Sequence, residues 1–184
     1  MAKKSSTQLK TALQAKQFVR LKRRFEDSSI YGYVLDIGPK FFLLAVISDG
    51  IWFDGFQCFR ISDVSGAAPP YNTNFVEAAL RKRRERMPKK PRISLGSVEE
   101  LLLTAGRTFP LVTIHREQVD TDTCWIGRIL SVNKGRVSML QIDSHAEWHD
   151  KPTTYLLREI TCVDFGGDYE NALHLVGGNP SKQK

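Results

Sequence analysis

Residues 143–150, DSHAEWHD, form the densest group of residues whose types could perform chemistry. In an extended strand His145, Glu147 and His149 share one face, because alternate side chains point to the same side. Imidazole and carboxylate groups bind zinc, so this spacing predicts a candidate metal site and, as the least favoured of three functions, a metal-dependent hydrolase. The spacing differs from the helical H-E-x-x-H pattern, and an exposed polar hairpin tip is the simpler interpretation.

Other residues favour a protein without catalytic activity and without a cofactor. The sequence contains no G-x-S-x-G motif, no P-loop and no pair of catalytic carboxylates. Cys58, Cys124 and Cys162 are far apart in the sequence, and we expect reduced thiols that pack as small hydrophobic groups. His115 and His174 are isolated, and we expect them at the surface or in packing roles.

Positive charge is concentrated in two stretches of the chain, whose net charge is +7. Residues 1–24 and residues 81–92 each hold eight of the 27 lysines and arginines, and their one acidic residue is Glu85. We refer to residues 81–92 as the basic segment. This distribution predicts an anionic partner, because clustered cations attract phosphates. The candidate nucleic-acid contacts from these stretches are Arg20, Lys22, Arg24, Arg81, Lys82, Arg83, Arg84, Arg86, Lys89, Lys90 and Arg92.

Two stretches with the same pattern predict an internal repeat. Residues 30–49 read IYGYVLDIGPKFFLLAVISD, and residues 125–144 read WIGRILSVNKGRVSMLQIDS. Aligned on Gly32 and Gly127, they place apolar residues at matching positions. The similarity continues downstream in FRISDVSG and LREITCVDFG, and then in one E-x-A-L sequence per copy. Upstream, FVRLKRRFED precedes the first copy and LVTIHREQVD precedes the second. Four matches in the same order indicate that a single β-unit was copied.

β-Branched and aromatic residues between turn signals predict five strands in each copy, with helices around them. Asp54-Gly55 marks a bend or bulge, Ser97 is a candidate helix N-cap and Gly106 a candidate helix stop. The predicted strands cover residues 18–25, 30–37, 40–47, 53–59, 61–64, 109–117, 124–131, 136–143, 153–157 and 160–164. The predicted helices cover residues 9–17, 98–105 and 169–176, with another from residues 72–74 to a point before Pro88. Residues 66–70 are predicted to be a loop, and residues 1–9 and 177–184 to be disordered.

The V/I-x-G-x-V/I pattern followed by a turn and an apolar strand, as in IYGYVLDIGPKFFLL and CWIGRILSVNKGRVSML, resembles the Sm-like fold, a small open barrel. With the closing strand that leads into E-x-A-L, the chain is similar to a class of uncharacterised bacterial Sm-like proteins. The resemblance implies a mainly β protein with two tandem Sm/SH3-like small open barrels joined by a helical basic connector. The implied divisions are an N-terminal arm (1–17), a first barrel (18–70), a connector (71–108), a second barrel with closing helix (109–176) and a tail (177–184).

The same resemblance implies where RNA would bind. In Sm proteins, an Asp/Asn-bearing loop between strands two and three binds uridine, and a short Arg-Gly or Lys-His motif between strands four and five completes the pocket. This chain departs from both patterns, because residues 36–40 contain no Asn and residues 131–135 contain only Asn133. Arg60 and Arg158 are the remaining candidate RNA contacts. Ion pairing with nearby acids that orders the strand is the alternative role for both arginines.

These observations lead to three candidate functions. The first is a non-enzymatic protein that binds RNA or other nucleic acid, electrostatically and with weak sequence specificity, through the N-terminal arm and the basic segment. The second is a protein-interaction module in which exposed edge strands pair with a partner or with another copy. The third is the hydrolase at residues 145–149. No apolar run is long enough to span a bilayer and no signal peptide is evident, so we expect a cytoplasmic protein without membrane contact.

Overall fold

The computed structural model of the chain describes residues 2–25 and 28–180. Ten antiparallel strands form one sheet with four α-helices around it, so the predicted mainly β class is confirmed. The elements are α1 (Ala2–Ala15), β1 (Phe18–Arg23), β2 (Ile30–Ile37), β3 (Phe41–Ile47), β4 (Phe53–Arg60), β5 (Val64–Ala68), α2 (Thr73–Lys82), α3 (Val98–Thr108), β6 (Val112–His115), β7 (Cys124–Asn133), β8 (Arg136–Gln141), β9 (Thr153–Leu156), β10 (Cys162–Phe165) and α4 (Asp168–Gly177). Short 3-10 turns at Ile61–Asp63 and Leu157–Glu159 precede β5 and β10.

The order of strands in the sheet is the same in the two halves of the chain. It runs β5-β1-β2-β3-β4 and then β10-β6-β7-β8-β9, so the fifth strand of each half lies beside the first. The halves join where β4 pairs with β10, with Cys58 opposite Val163 and Phe59 opposite Cys162. The fifth strand of the second half therefore extends the sheet of the first half.

The two glycines on which the sequence copies align lie at matching positions. Gly32 in β2 is opposite Val19 in β1, and Gly127 in β7 is opposite Val112 in β6. On the other side of each glycine, the third strand of the same half (β3 or β8) passes so closely that an added Cβ would overlap one of its backbone carbonyls. Glycine is therefore required in the second strand of each half for close backbone approach.

A β-bulge follows each of these glycines at the same distance along the strand. The register of β2 against β3 shifts between Val34 and Asp36, and that of β7 against β8 shifts between Ile129 and Ser131. A bulge bends a strand and increases its twist, which lets a five-stranded sheet curve around its own core. The repeat seen in the sequence therefore extends to this irregularity of the backbone.

A helix precedes the first strand in both halves, and the first of these helices, predicted over residues 9–17, begins earlier than predicted. Residues 1–9 were predicted to be disordered, but α1 begins at Ala2, and Met1 lies outside the described residues. Leu9 and Ala12 are buried against the sheet, and the Ser5 hydroxyl donates to the Val64 carbonyl. Tertiary packing of this narrow apolar stripe stabilises a helix that local sequence signals alone would not.

The closing strand of the first half is shifted from its predicted position. Residues 61–64 were predicted to be a strand and residues 66–70 a loop, whereas Ile61–Asp63 is a 3-10 turn and Val64–Ala68 is the strand. Alanine and glycine have low strand propensity, but pairing with β1 outweighs that preference. In the second half the last strand likewise begins late, at Cys162, after a 3-10 turn.

Helix α3 begins where the sequence predicted and ends later. The Ser97 hydroxyl accepts a hydrogen bond from the Glu100 backbone N–H at 3.1 Å, so the predicted N-cap is confirmed. Gly106 does not stop the helix, which continues to Thr108. A Cβ at Gly106 would lie 2.8 Å from Cβ of Ile129, so this glycine permits close packing of the helix on β7.

The chain between α2 and α3 is fixed to the core although it has no regular structure. Ile93 and Leu95 are buried in a cluster with Leu43 of the first half and Leu101 of the second. A Cβ on Gly38 would lie 2.2 Å from the Leu95 carbonyl oxygen, which shows how closely the two backbones approach. The link that follows the basic segment therefore helps to hold the two halves together.

Candidate nucleic-acid interface

A cavity of about 680 Å³ lies at the junction of the two halves. Its walls are the β2–β3 turn and the end of β4, the β7–β8 turn and the 3-10 turn before β10, and the start of α3. We call it the junction cavity. Among the described residues that line it, four are cations, Lys40, Arg60, Lys134 and Arg158, and one is an acid, Glu99. Both halves of the repeat thus contribute positive charge to one concave surface.

Equivalent backbone contacts position the two lysines. In the first half the Ile61 N–H donates to the Lys40 carbonyl at 2.8 Å, and in the second the Leu157 N–H donates to the Gly135 carbonyl at 3.0 Å. Lys134 and Gly135 both have positive φ, as the tight β7–β8 turn requires. Each turn between the second and third strands is therefore tied to the 3-10 turn that carries or adjoins an arginine.

The Arg60 side chain, from the first half, contacts the backbone of the second half, whereas the Arg158 side chain faces solvent. One guanidinium nitrogen of Arg60 donates to the Arg158 carbonyl at 2.9 Å and to the Ile160 carbonyl. Its Nε is 3.9 Å from an oxygen of Asp63, so the predicted ion pair exists only as a long contact. Arg158 is exposed, and within residues 2–25 and 28–180 no carboxylate pairs with it. Arg60 therefore orders the junction, and Arg158 is available to a ligand.

The basic segment lies away from the junction cavity. Arg83 donates to the Gly50 carbonyl at 2.7 Å and lies over the ring of Trp52, and Lys90 pairs with Asp36 at 2.5 Å. The other six cations of the segment are exposed, and none of the eight lines the junction cavity. Some of the exposed ones surround a separate, shallower hollow of about 460 Å³ together with Tyr33 and Phe53. These six are Arg81, Lys82, Arg84, Arg86, Lys89 and Arg92.

The predicted cations of the first strand also lie apart from the cavity. Lys22 is exposed and Arg20 is half-buried, while Arg24 pairs with Asp63 at 2.7 Å and keeps half of its side chain exposed. The thirteen predicted contact residues are therefore divided between β1, the basic segment and the junction cavity. The structure brings Arg60 and Arg158 together in the junction cavity, and Arg81, Arg84 and Arg86 around the separate hollow.

Residues 143–150 form a closed hairpin tip. The Asp143 carboxylate accepts hydrogen bonds from the backbone N–H groups of His145 and Glu147, and these bonds lower the pKa of Asp143. The side chains of His145, Glu147 and His149 are exposed, and within the described chain they do not converge on a common point. The polar hairpin tip fits these residues better than the predicted metal site.

A second polar group, which the sequence did not predict, lies where β4, β10 and β6 meet. The Asp164 carboxylate accepts from Gln57 at 3.3 Å and from the Cys162 thiol at 2.9 Å, and it lies 2.8 Å from Nε2 of His115. We call His115, Cys162, Asp164 and Gln57 the Asp164 cluster. His115, predicted to be a surface or packing residue, is thus one side of a partly buried ion pair.

Burial and pairing set the pKa values in this cluster. Burial alone would lower the pKa of His115 and raise that of Asp164, but their mutual attraction and hydrogen bond outweigh it, so that the His115 pKa is raised and the Asp164 pKa is lowered. Burial raises the pKa of the Cys162 thiol well above its ordinary value. The raised pKa keeps the thiol protonated, and a protonated thiol is a poor nucleophile.

Sequence reasoning missed Lys40, Lys134 and the Asp164 cluster for different reasons. The two lysines occupy the corresponding turn in each copy of the repeat, and that coincidence was a usable signal. The cluster had none, because its members come from three strands that are adjacent only in the folded sheet.

Comparisons with known proteins give no assignment. No protein-family model matches the chain. No curated protein matches it, and no solved structure does. Within residues 2–25 and 28–180, none of the helices combines the length and apolar character that a membrane crossing needs. The geometry of the junction cavity is therefore the basis for a functional proposal.

Proposed function

We propose that this chain is a non-enzymatic RNA-binding protein made of two tandem Sm-like units, and that single-stranded RNA binds in the junction cavity. One observation carries the proposal: cations from both halves line a single cavity in which Glu99 is the one acidic lining residue among those described. Phosphate contacts of this kind position the nucleic acid and supply most of the affinity, with little sequence preference.

The strand order supports the Sm-like part of the proposal. Each half has five strands with the fifth beside the first, a glycine and a bulge in the second strand, and a 3-10 turn between the fourth and fifth strands. In Sm proteins the loop after the second strand and the segment after the fourth strand contact RNA. Here Lys40 and Lys134 lie in the first of these places, and Arg60 and Arg158 lie at or beside the second.

The shape of the cavity supports a single strand in place of a duplex. A volume of about 680 Å³ is in the range of small-molecule sites, which accommodates a nucleotide or two but not a helix. Lys40, Lys134 and Arg158 are exposed and can approach successive phosphates along such a strand. Lys40 and Lys134 carry compact ammonium groups, while the planar guanidinium of Arg158 can also form paired hydrogen bonds to one phosphate.

A triple variant tests the junction cavity. Lys40→Gln, Lys134→Gln and Arg158→Gln together are expected to weaken binding of a mixed-sequence single-stranded RNA at low salt by more than about tenfold. They should also reduce the slope of log affinity against log salt by about 2, because three phosphate contacts are lost at about 0.7 each. Fluorescence anisotropy over a salt series measures both quantities. Arg60 is left unchanged because it also orders the junction.

Two further variants make the result specific. Lys10→Gln, Arg107→Gln and Lys151→Gln together remove the same charge from exposed positions outside the cavity, and binding should change by less than about threefold. A variant with Arg81, Arg84 and Arg86 changed to Gln tests the basic segment. Equal losses in the cavity and control variants, a loss found only in the basic-segment variant, or no RNA binding by the wild type would each contradict the proposal.

The open ends of the sheet favour a second candidate function, association with another copy. Within the described sheet β5 and β9 each have one unpaired edge, and they correspond to β10 and β4, which pair inside the chain. A β9–β5 contact between two chains would repeat the internal junction. Light scattering over a concentration series should then detect dimers or larger species. A constant monomer mass up to about 100 μM, a concentration at which weak interfaces of Kd ~10–100 μM would be populated, rules out this function.

A further inference from the structure

The Asp164 cluster contains three zinc-type ligand atoms in one place. Nε2 of His115, Sγ of Cys162 and a carboxylate oxygen of Asp164 all lie within 4.8 Å of one another. Within the described residues, no other group of three or more histidines, cysteines and acids is arranged in this way. Imidazole, thiolate and carboxylate are the three ligand types that zinc accepts, and their mixture disfavours magnesium and calcium, which prefer oxygen alone.

The sheet holds these ligands on rigid backbone. His115 in β6 is directly opposite Cys162 in β10, and Asp164 lies two residues further along β10, on the same face. Tetrahedral zinc needs about 3.4–3.6 Å between such ligand atoms, given bond lengths of about 2.0–2.3 Å. Nε2 of His115 lies 2.8 Å from Oδ2 of Asp164, and Sγ of Cys162 lies 2.9 Å from Oδ1 of the same carboxylate. Side-chain rotations that lengthen each of these two contacts to Asp164 by less than about 1 Å therefore make room for the ion.

An unpartnered atom beside the cluster points to a missing contact. The Oε1 atom of Gln57 is buried and accepts no hydrogen bond from any residue that the structure describes, while the Nε2 atom of the same amide donates to Asp164. A water molecule on a bound cation would donate to this oxygen. The His115 and Asp164 side chains retain 25% and 14% exposure, so an ion has a route from solvent to the cluster.

We propose that His115, Cys162 and Asp164 bind one zinc ion, with water in the fourth position. This inference is independent of the RNA-binding proposal. Binding would release two protons to solvent, one from the Cys162 thiol and one from Nε2 of the His115 imidazolium, because zinc is coordinated by thiolate and by neutral imidazole. The ion would tie β6 to β10 and, through Gln57, to β4 of the other half. It would thus stabilise the junction of the halves.

Cobalt and zinc titrations of the full chain, freed of metal by a chelator, test this site. Co²⁺ should produce a thiolate-to-metal charge-transfer band. About one Zn²⁺ per chain should displace the Co²⁺, so that the band disappears, and the Zn²⁺ should remain bound after desalting. Cys162→Ser should abolish the band. His115→Gln and Asp164→Asn should each weaken zinc binding by at least about tenfold, because even residues that only support ligands have effects of this size.

Two control variants isolate the cluster. Cys58→Ala removes a thiol that is buried in a different part of the core, and His145→Ala removes an imidazole from the hairpin tip; neither should change the band or the stoichiometry. Circular dichroism establishes that each variant is folded, and Asp164→Asn supplies the answer if Cys162→Ser does not fold. A folded wild type without the band, or a band that survives Cys162→Ser or is lost in Cys58→Ala, would overturn the proposal.

Discussion

Replacement of Glu117 by alanine is expected to lower the free energy of unfolding by about 3–5 kcal/mol. The Glu117 carboxylate accepts two hydrogen bonds from the Arg23 guanidinium, at 2.7 and 2.6 Å, and the two side chains are 7% and 1% exposed. The guanidinium also lies 4.5 Å from the centre of the Phe59 ring. Without the carboxylate, the buried Arg23 guanidinium loses two charge-assisted hydrogen bonds, and denaturant unfolding measures the cost of that loss.

The pair also connects the halves, since Arg23 ends β1 and Glu117 follows β6. An Arg23→Met, Glu117→Leu double variant should recover most of the lost stability, because it removes both buried charges and keeps apolar volume. Lys90→Ala breaks an ion pair whose side chains are 49% and 32% exposed, and it should cost less than about 1 kcal/mol. A cost for Glu117→Ala no larger than that for Lys90→Ala would show that the buried pair does not stabilise the junction.

Alanine at Gly32 or at Gly127 is expected to cost about 2–4 kcal/mol in each case. The new Cβ would lie 2.2 Å from the Ala45 carbonyl oxygen in one half and 2.1 Å from the Leu140 carbonyl oxygen in the other. Neither oxygen can move without breaking the pairing of the second and third strands. Because the two sites are equivalent, denaturant titrations should give two similar losses.

Gly66 provides the matched control for this pair. It also lies in a strand, but nothing is within 4 Å of the position its Cβ would take. Gly66→Ala should change the free energy of unfolding by less than about 1 kcal/mol. If Gly32→Ala or Gly127→Ala were as mild as this control, the close approach of the strands would not be the reason for glycine there.

Strong local signals made much of the fold predictable. Turn residues such as Gly38-Pro39 and Asn133-Lys134-Gly135 separate apolar runs that become strands, and β2 has the predicted bounds, Ile30–Ile37. The bulge at Asp54-Gly55 is also confirmed, because the β3–β4 register shifts there and Gly55 has positive φ. Where an apolar run of strand-forming residues is bounded by turn residues, local preference and tertiary packing agree.

Elements that depend on distant contacts were missed. β5 consists mostly of small residues and is a strand because β1 provides a partner. The first turns of α1 were predicted to be disordered, but they belong to a helix that packs Leu9 and Ala12 against the sheet. Gly106 was predicted to end α3 because glycine often follows the last residue of a helix. No local rule shows that β7 passes beside this glycine. Tertiary packing overrides propensity in each case.

The candidate sites were also predicted in part and missed in part. Resemblance at the level of motifs selected Arg60 and Arg158, which line the junction cavity, but charge density drew attention to the basic segment, which lies elsewhere. The pairing of β4 with β10 brings the two halves of the cavity together, and no local sequence pattern predicts that pairing. Charge counts therefore predict the chemical class of a partner more readily than the place where it would bind.

An NMR titration of the full chain with single-stranded RNA tests most directly whether both halves share one binding site. Binding in the junction cavity predicts the largest backbone amide shifts at Lys40, at Lys134 and at Arg158, all at the same RNA concentration. Shifts confined to residues 81–92, or to the turns of one half only, would contradict it.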